Sequence, residues 1–319
     1  MLKRLFYCML IVASFMLTAC SENEKQANKD KVDSVKQSLT LGVMPSMDYL
    51  PVAVALREGY YAQNGLDITI MKFYSANERD AAFQSYNVDG VVIDYTGAVL
   101  QKNGGFDLAL TSRCDAPFHI VASKQSNIKT LADLKGAKIA VSQNTVIDYC
   151  IDMALKSVGL SAANVEKVEI NKIPVRFEML MGGKIDCTGL PDPLALISKS
   201  GGATELTTNS ELGLSITGIM FTGKAMQEKA ELIKKMYAGY NMAVEYLETH
   251  DPEDVKDILI DHMGFKPELI ANTTLPVYTK AALPPEEDLQ SVINWLAERG
   301  LVNPELNVKT LGNGNFLPQ

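Results

Sequence analysis

LTLGVMPSMDYLPVAVALREGYYAQNGLDITIM, residues 39–71, reads as strand, helix, strand. Residues 39–44 are a short apolar run of β character, and Asp48 stands where a helix through residue 56 would be capped. Pro51 falls in the first turn of that helix, and residues 66–71 return to β character. Two strands joined through a helix run parallel. Working outward, residues 77–86 read as helix, 91–93 as a buried strand, and 96–102 as a helix stopped by Gly104 and Gly105. Residues 106–111 and 118–123 read as strands on either side of Arg113, Cys114, Asp115, Ala116 and Pro117.

A second block repeats the theme. Residues 138–141 form a strand, Asn144 or Thr145 opens a helix to residue 158, and Gly159 closes it. A strand at 165–170 is followed by a helix at 175–181 behind Pro174, where proline is tolerated. A short strand around 185–188 leads through Pro191, Asp192 and Pro193 into a helix ending at residue 199. Strand-like residues 216–222 open a largely helical third, 225–299, with breaks near 250–253 and 264–267. The alternation predicts a doubly wound α/β fold. Ligands in such sheets lie beyond the carboxyl ends of the strands.

The N-terminus carries a different signal. Lys3 and Arg4, an apolar run at 5–17, and Leu17-Thr18-Ala19-Cys20 read as a secretory signal closed by a lipobox. The run is shorter than the roughly 20 residues a membrane-crossing helix needs. Residues 1–19 are therefore expected to be a cleaved signal peptide, with lipid on Cys20. Residues 20–37 are nearly all polar and read as a flexible tether. Such a protein is held at a membrane face of the cell envelope and works in the periplasm or outside the cell.

Cleavage removes two cations and takes the net charge from −8 to −10. This acidic balance offers no basic face to a polyanion, so nucleic acid is not an expected partner. Cys114, Cys150 and Cys187 remain for pairing, and the sequence does not choose among them. With His119, His250 and His262 as the only histidines, no metal site has support, and no cofactor is expected. His119 lies in a strand-like run and reads as a core or hinge residue.

Three segments resemble a known family. ALREGYYAQNGLDI at 55–68, VDGVVIDYT at 88–96 and IKTLADLKGAKIAV at 128–141 are similar to segments of the substrate-binding lipoproteins of ABC importers. The branch is the one that handles thiamine precursors, nitrate, sulfonates and taurine. The resemblance implies a two-lobed periplasmic binding protein-like fold of type II, with two crossing strands and a mainly parallel, helix-flanked sheet in each lobe. It places residues 38–117 plus 219–319 in the first lobe and 118–218 in the second. The crossings are expected near 113–118 and 215–220, with Gly213 and Gly218 flanking the second. It also implies a monomer that closes on a small molecule and hands it to a permease with its ATPase. Closure of this kind requires a ligand that contacts both lobes.

Strand-end positions nominate the ligand contacts. They are Ser46, Asp48 and Tyr49; Asp94, Tyr95 and Thr96; Ser142, Asn144, Thr145 and Asp148; and Asp192. For Asp48 and Asp192 singly, helix capping is the simpler role. Together, three loops bring carboxylates to one cleft, and the nearby cations are Arg113 and Arg176. Carboxylates repel nitrate or a sulfonate. Aspartates beside Tyr49, Tyr95 and Tyr149 suit a flat ring with N–H donors, or an amine over aromatic faces. An aminopyrimidine of the thiamine pathway has that character, with nitrate, sulfonate or taurine as the alternative. The helix opened by Asn144 and Thr145 could also receive an anionic end. A catalytic reading would need Cys150, Asp148 and His119 as an assembly, and Cys150 in mid-helix reads as a buried structural thiol, so the chain is not expected to be an enzyme.

Overall fold

The computed structural model describes residues 38–318, so the signal peptide, the tether and Cys20 lie outside the described residues. The chain runs β1 (Ser38–Val43), α1 (Leu50–Arg57), α2 (Tyr60–Gln63), β2 (Asp67–Lys72), α3 (Ala76–Gln84), β3 (Gly90–Asp94), α4 (Tyr95–Asn103) and β4 (Leu108–Arg113). Then follow β5 (Phe118–Ala122), β6 (Lys138–Val141), α5 (Val146–Ser157), β7 (Glu166–Glu169), α6 (Ile173–Met181), β8 (Cys187–Pro191), α7 (Leu194–Ser200) and β9 (Thr204–Thr208). The return is β10 (Thr217–Thr222), α8 (Gly223–Glu228), α9 (Ala230–Leu247), α10 (Lys256–Asp261) and α11 (Glu286–Glu298).

Two five-stranded sheets result, ordered β2-β1-β3-β10-β4 and β7-β6-β8-β5-β9. Both are mixed. In each, four strands share a direction and the one that follows the passage between sheets runs against them: β10 is antiparallel to β3 and β4, and β5 to β8 and β9. The inner strands β3, β5, β8 and β10 are buried throughout, whereas the edge strands β2, β7 and β9 carry exposed polar residues. Continuous apolar runs are what a strand covered on both faces requires. β9 went unread in the sequence because its Thr-Glu-Leu-Thr-Thr has the composition of a solvated edge.

The order β2-β1-β3 makes the carboxyl ends of β1 and β3 a topological switch point, and β7-β6-β8 does the same for β6 and β8. The chain leaves the first sheet after Arg113, enters the second at Phe118 and returns between Thr208 and Thr217. The two passages are tied together. Cys114 N–H donates to the Thr217 carbonyl at 2.9 Å, and Asn209 Oδ1 accepts from Phe118 N–H at 2.7 Å. One apolar cluster centres on β1, α1 and α9. Another runs from Phe83 and Val91 through Phe118 to Ile139, Tyr149 and Trp295, and so touches both sheets.

Gly218 lies on β10 opposite β4. A Cβ there would sit 2.5 Å from the Ser112 carbonyl oxygen, so the backbone would have to move. Gly218→Ala should destabilise the fold by about 1–3 kcal/mol, read as a lowered urea-unfolding midpoint; an unchanged midpoint would show that this approach is not constrained.

Candidate functional site

The two switch points face each other. From the first sheet, the loop after β1 brings Pro45, Ser46 and Asp48, and β3 ends in Asp94. Arg79 on α3 and Thr217 at the start of β10 complete that side. The second sheet contributes Phe118, Val146, Ile173 and Pro191. The cavity between them is about 20 Å³, room for about one water. It adjoins an apolar chamber of about 150 Å³, the two sharing Pro45 and Ile173. Phe73, Tyr74 and Met263 wall the chamber on one side, with Pro174, Pro193 and Leu194 on the other.

Asp94 is the polar centre of the cleft. It accepts from Arg79 Nη2 at 2.7 Å, from Thr96 Oγ1 at 2.5 Å and, across the gap, from Val146 N–H at 3.3 Å. Burial alone would raise its pKa, but the Arg79 guanidinium and these donors outweigh it and hold the carboxyl below its ordinary range. Arg79 is itself 2% exposed and donates Nε to Asp80 at 2.8 Å. Asp48 has no such cation. It accepts from Thr217 Oγ1 at 3.0 Å and from Ser46 Oγ at 3.4 Å, and burial pushes its pKa up to about 7. The cleft thus holds a saturated arginine, an ionised aspartate and a second aspartate poised between its two protonation states.

Of the residues nominated from sequence, Ser46, Asp48 and Asp94 line this cavity, and Thr96 stands behind Asp94. Asp48 is not a helix cap: it lies inside a single 3-10 turn, and α1 begins at Leu50. Asp192 does act as a cap, accepting from Leu196 N–H at 3.0 Å, with His119 Nε2 at 3.5 Å. His119 is buried, its Nδ1 2.6 Å from Glu205. Tyr49 is fully buried in the core and donates to the His262 carbonyl at 2.8 Å. Tyr95 bonds Ser215 Oγ at 3.0 Å and Tyr149 bonds Ser291 Oγ at 2.8 Å, so neither ring faces the cavity.

The other lobe's loop is occupied with itself. Ser142 donates to Asn171 Oδ1 at 2.8 Å, Thr145 to the Ser142 carbonyl at 2.8 Å, and Asn144 N–H to Asp148 at 2.9 Å. Asp148 is taken by Lys167 and Arg299. Arg113 lies at the passage between sheets, 3.4 Å from Asp115, and buried Arg176 donates to the carbonyls of Ile170 and Asn171. The expected cations are therefore elsewhere, and the cation in the cleft is Arg79. Its signal was its place beside Ala82 and Phe83 on the buried face of α3. Phe73 and Tyr74 follow β2 and were open to the same strand-end rule that found Asp94. Cys114, Cys150 and Cys187 are free and buried; burial pushes the Cys150 thiol up to about 12, far from a nucleophile's range.

A family model described as "NMT1/THI5 like" matches residues 46–255. The "Putative thiamine biosynthesis protein" of Haemophilus influenzae is 30% identical over 139 residues, 43% of this chain and 44% of that protein, so the chain matches less than half of that relative's length. A "Putative binding protein" of Brucella abortus is 25% identical over 243 residues, 69% of this chain and 75% of that protein. Among solved structures, the periplasmic nitrate-binding protein NrtA of Synechocystis superposes with a TM-score of 0.74 at 13% identity, covering 89% of this chain and 87% of that one. At that identity the likeness is one of fold.

The Arg79–Asp94 pair yields a stability test. Arg79→Met strands a buried carboxylate and should cost about 3–5 kcal/mol of unfolding free energy, whereas Arg79→Met with Asp94→Leu should recover most of it. A double variant as unstable as the single one in urea would show that packing, not charge, dominates here.

Proposed function

We propose that this chain, which belongs to the NMT1/THI5-like family, is the solute-binding lipoprotein of an ABC import system. It captures a heteroaromatic or amine-bearing metabolite, an aminopyrimidine of thiamine-precursor type in the first instance. The observation that carries the ligand class is the pairing of a small cleft whose one arginine is already taken by two aspartates with an apolar chamber. Arg79 already faces Asp94 and Asp80, so it has little charge left for nitrate, a sulfonate or taurine. Asp48 can accept from an N–H donor, and the chamber between Phe73, Tyr74 and Leu194 takes a flat apolar body that the small cavity could not.

Residues 38–117 plus 219–319 would move as one lobe and 118–218 as the other, except that Thr217 and Gly218 go with the first because β10 pairs there with β3 and β4, about the paired passages at Cys114 and Thr217. A ligand between Asp48 and Ile173 contacts both and stabilises the closed form. The monomer would deliver it unaltered to a permease while lipid on Cys20 keeps the protein at the membrane. The name of the Haemophilus relative supports the thiamine connection, and that of the Brucella relative supports binding.

The sign of the pH response separates the ligand classes. Asp48 ionises near pH 7, so a ligand that donates N–H or carries positive charge should bind more tightly as pH rises from 6 to 8, by about tenfold for one charged hydrogen bond. An anion should bind less tightly over the same interval. Calorimetric titration with 4-amino-5-hydroxymethyl-2-methylpyrimidine, nitrate and taurine should show affinity for the pyrimidine alone, rising with pH, and Asp48→Asn should flatten that slope. Tight binding of nitrate or taurine that weakens with pH would overturn the proposal.

A further inference from the structure

We propose that α5 and α11 form a charged latch that holds the lobes shut from outside the cleft, with Arg299 as the positioning residue that sets ligand affinity without touching ligand. The affinity half of this statement rests on the capture reading above; the closure half does not.

The contact joins segments that belong to different sheets. α11 packs against α4, beside the first sheet, whereas α5 and β7 belong with the second. Arg299, just past the end of α11, donates Nη1 to Asp148 Oδ2 at 3.3 Å and Nη2 to Asp152. Trp295 Nε1 donates to Asp152 Oδ2 at 3.0 Å. The Arg299 guanidinium lies 4.0 Å over the Trp295 ring, which meets Tyr149 edge-on at 5.4 Å. Lys167 bridges Asp148 and Asp152 from behind.

Charge explains why the arrangement favours closure. Without Arg299, the second lobe carries two carboxylates against the single Lys167 cation, and docking of Arg299 neutralises the excess. Asp148 is 1% exposed at its side chain but Arg299 is 29% exposed, so the guanidinium side of the pair stays open to solvent and to screening by salt. Tyr149 to Ser291 lies nearer the passages, where Asp288 faces the same pocket as Ser215. The Arg299 end lies two turns further along α11 and would separate more on rotation. Neither Arg299 nor Asp152 lines the cleft or its chamber. Asp148, nominated as a ligand contact, therefore has its work here.

Spin labels at Lys266→Cys and Lys184→Cys, both exposed and one on each lobe, report the separation by double electron–electron resonance without ligand. Among the described residues the native thiols, Cys114, Cys150 and Cys187, are buried and stay unlabelled. In Arg299→Met a longer distance should appear and hold at least half of the population, Arg299→Lys should restore the shorter one in part, and 1 M KCl should lengthen it in the otherwise native chain. Affinity for 4-amino-5-hydroxymethyl-2-methylpyrimidine should fall about tenfold in Arg299→Met. One unchanged distance in both Arg299→Met and 1 M KCl overturns the latch, and if Arg299→Met does not fold the salt arm alone decides. A shifted distance with unchanged affinity overturns the affinity half. Absence of pyrimidine binding in the native chain overturns the capture reading and leaves the distance result to judge closure.

Discussion

Asp94 holds the two halves of this molecule to one geometry. It ends β3 at a switch point, takes a guanidinium from α3, a hydroxyl from α4 and a backbone N–H from the first turn of α5. A carboxylate buried to 3% exposure survives only with such partners. Because Arg79 is spent on Asp94 and Asp80, the cleft has a cation without having a free positive charge. Its remaining acid, Asp48, lies close by with the hydroxyls of Thr217 and Ser46 and the backbone of Ala116 but no cation, and titrates near neutrality. The contrast between two aspartates in one cavity comes from whether a cation is within reach.

The fold brings these groups together through a simple device. In each sheet the strand that follows a passage runs against its neighbours, which lets the chain cross at Arg113–Phe118 and return beside the same point. The carboxyl ends of both parallel sets then look across one gap. A small cleft holding Asp94, Arg79 and Asp48 is left at the centre beside an apolar chamber, with Pro45 and Ile173 common to both.

Much of this was legible in the chain. The continuous apolar runs and the helical segments placed nearly every strand and helix because strands covered on both faces leave unbroken apolar stretches, and the strand-end rule reached Ser46, Asp48 and Asp94. The same rule nominated Tyr49, Tyr95 and Asp148, whose side chains turn into the interior. Which way a residue points one turn into a helix depends on how that helix rolls on its sheet, and this is decided by packing partners far away in sequence, such as His262 for Tyr49 and Arg299 for Asp148. Arg79 was passed over for a different reason: a charged residue in mid-helix reads as solvated, although Ala82 and Phe83 mark the same face as buried. The two-sheet division itself came from resemblance, since periodicity shows alternation and not which strands share a sheet.

Native mass spectrometry of the freshly purified protein tests the central claim, that a cleft with no free positive charge selects a small ring or amine. A retained molecule of heteroaromatic or amine character, released with its mass unaltered, is the predicted result. Retained nitrate or sulfonate would contradict it.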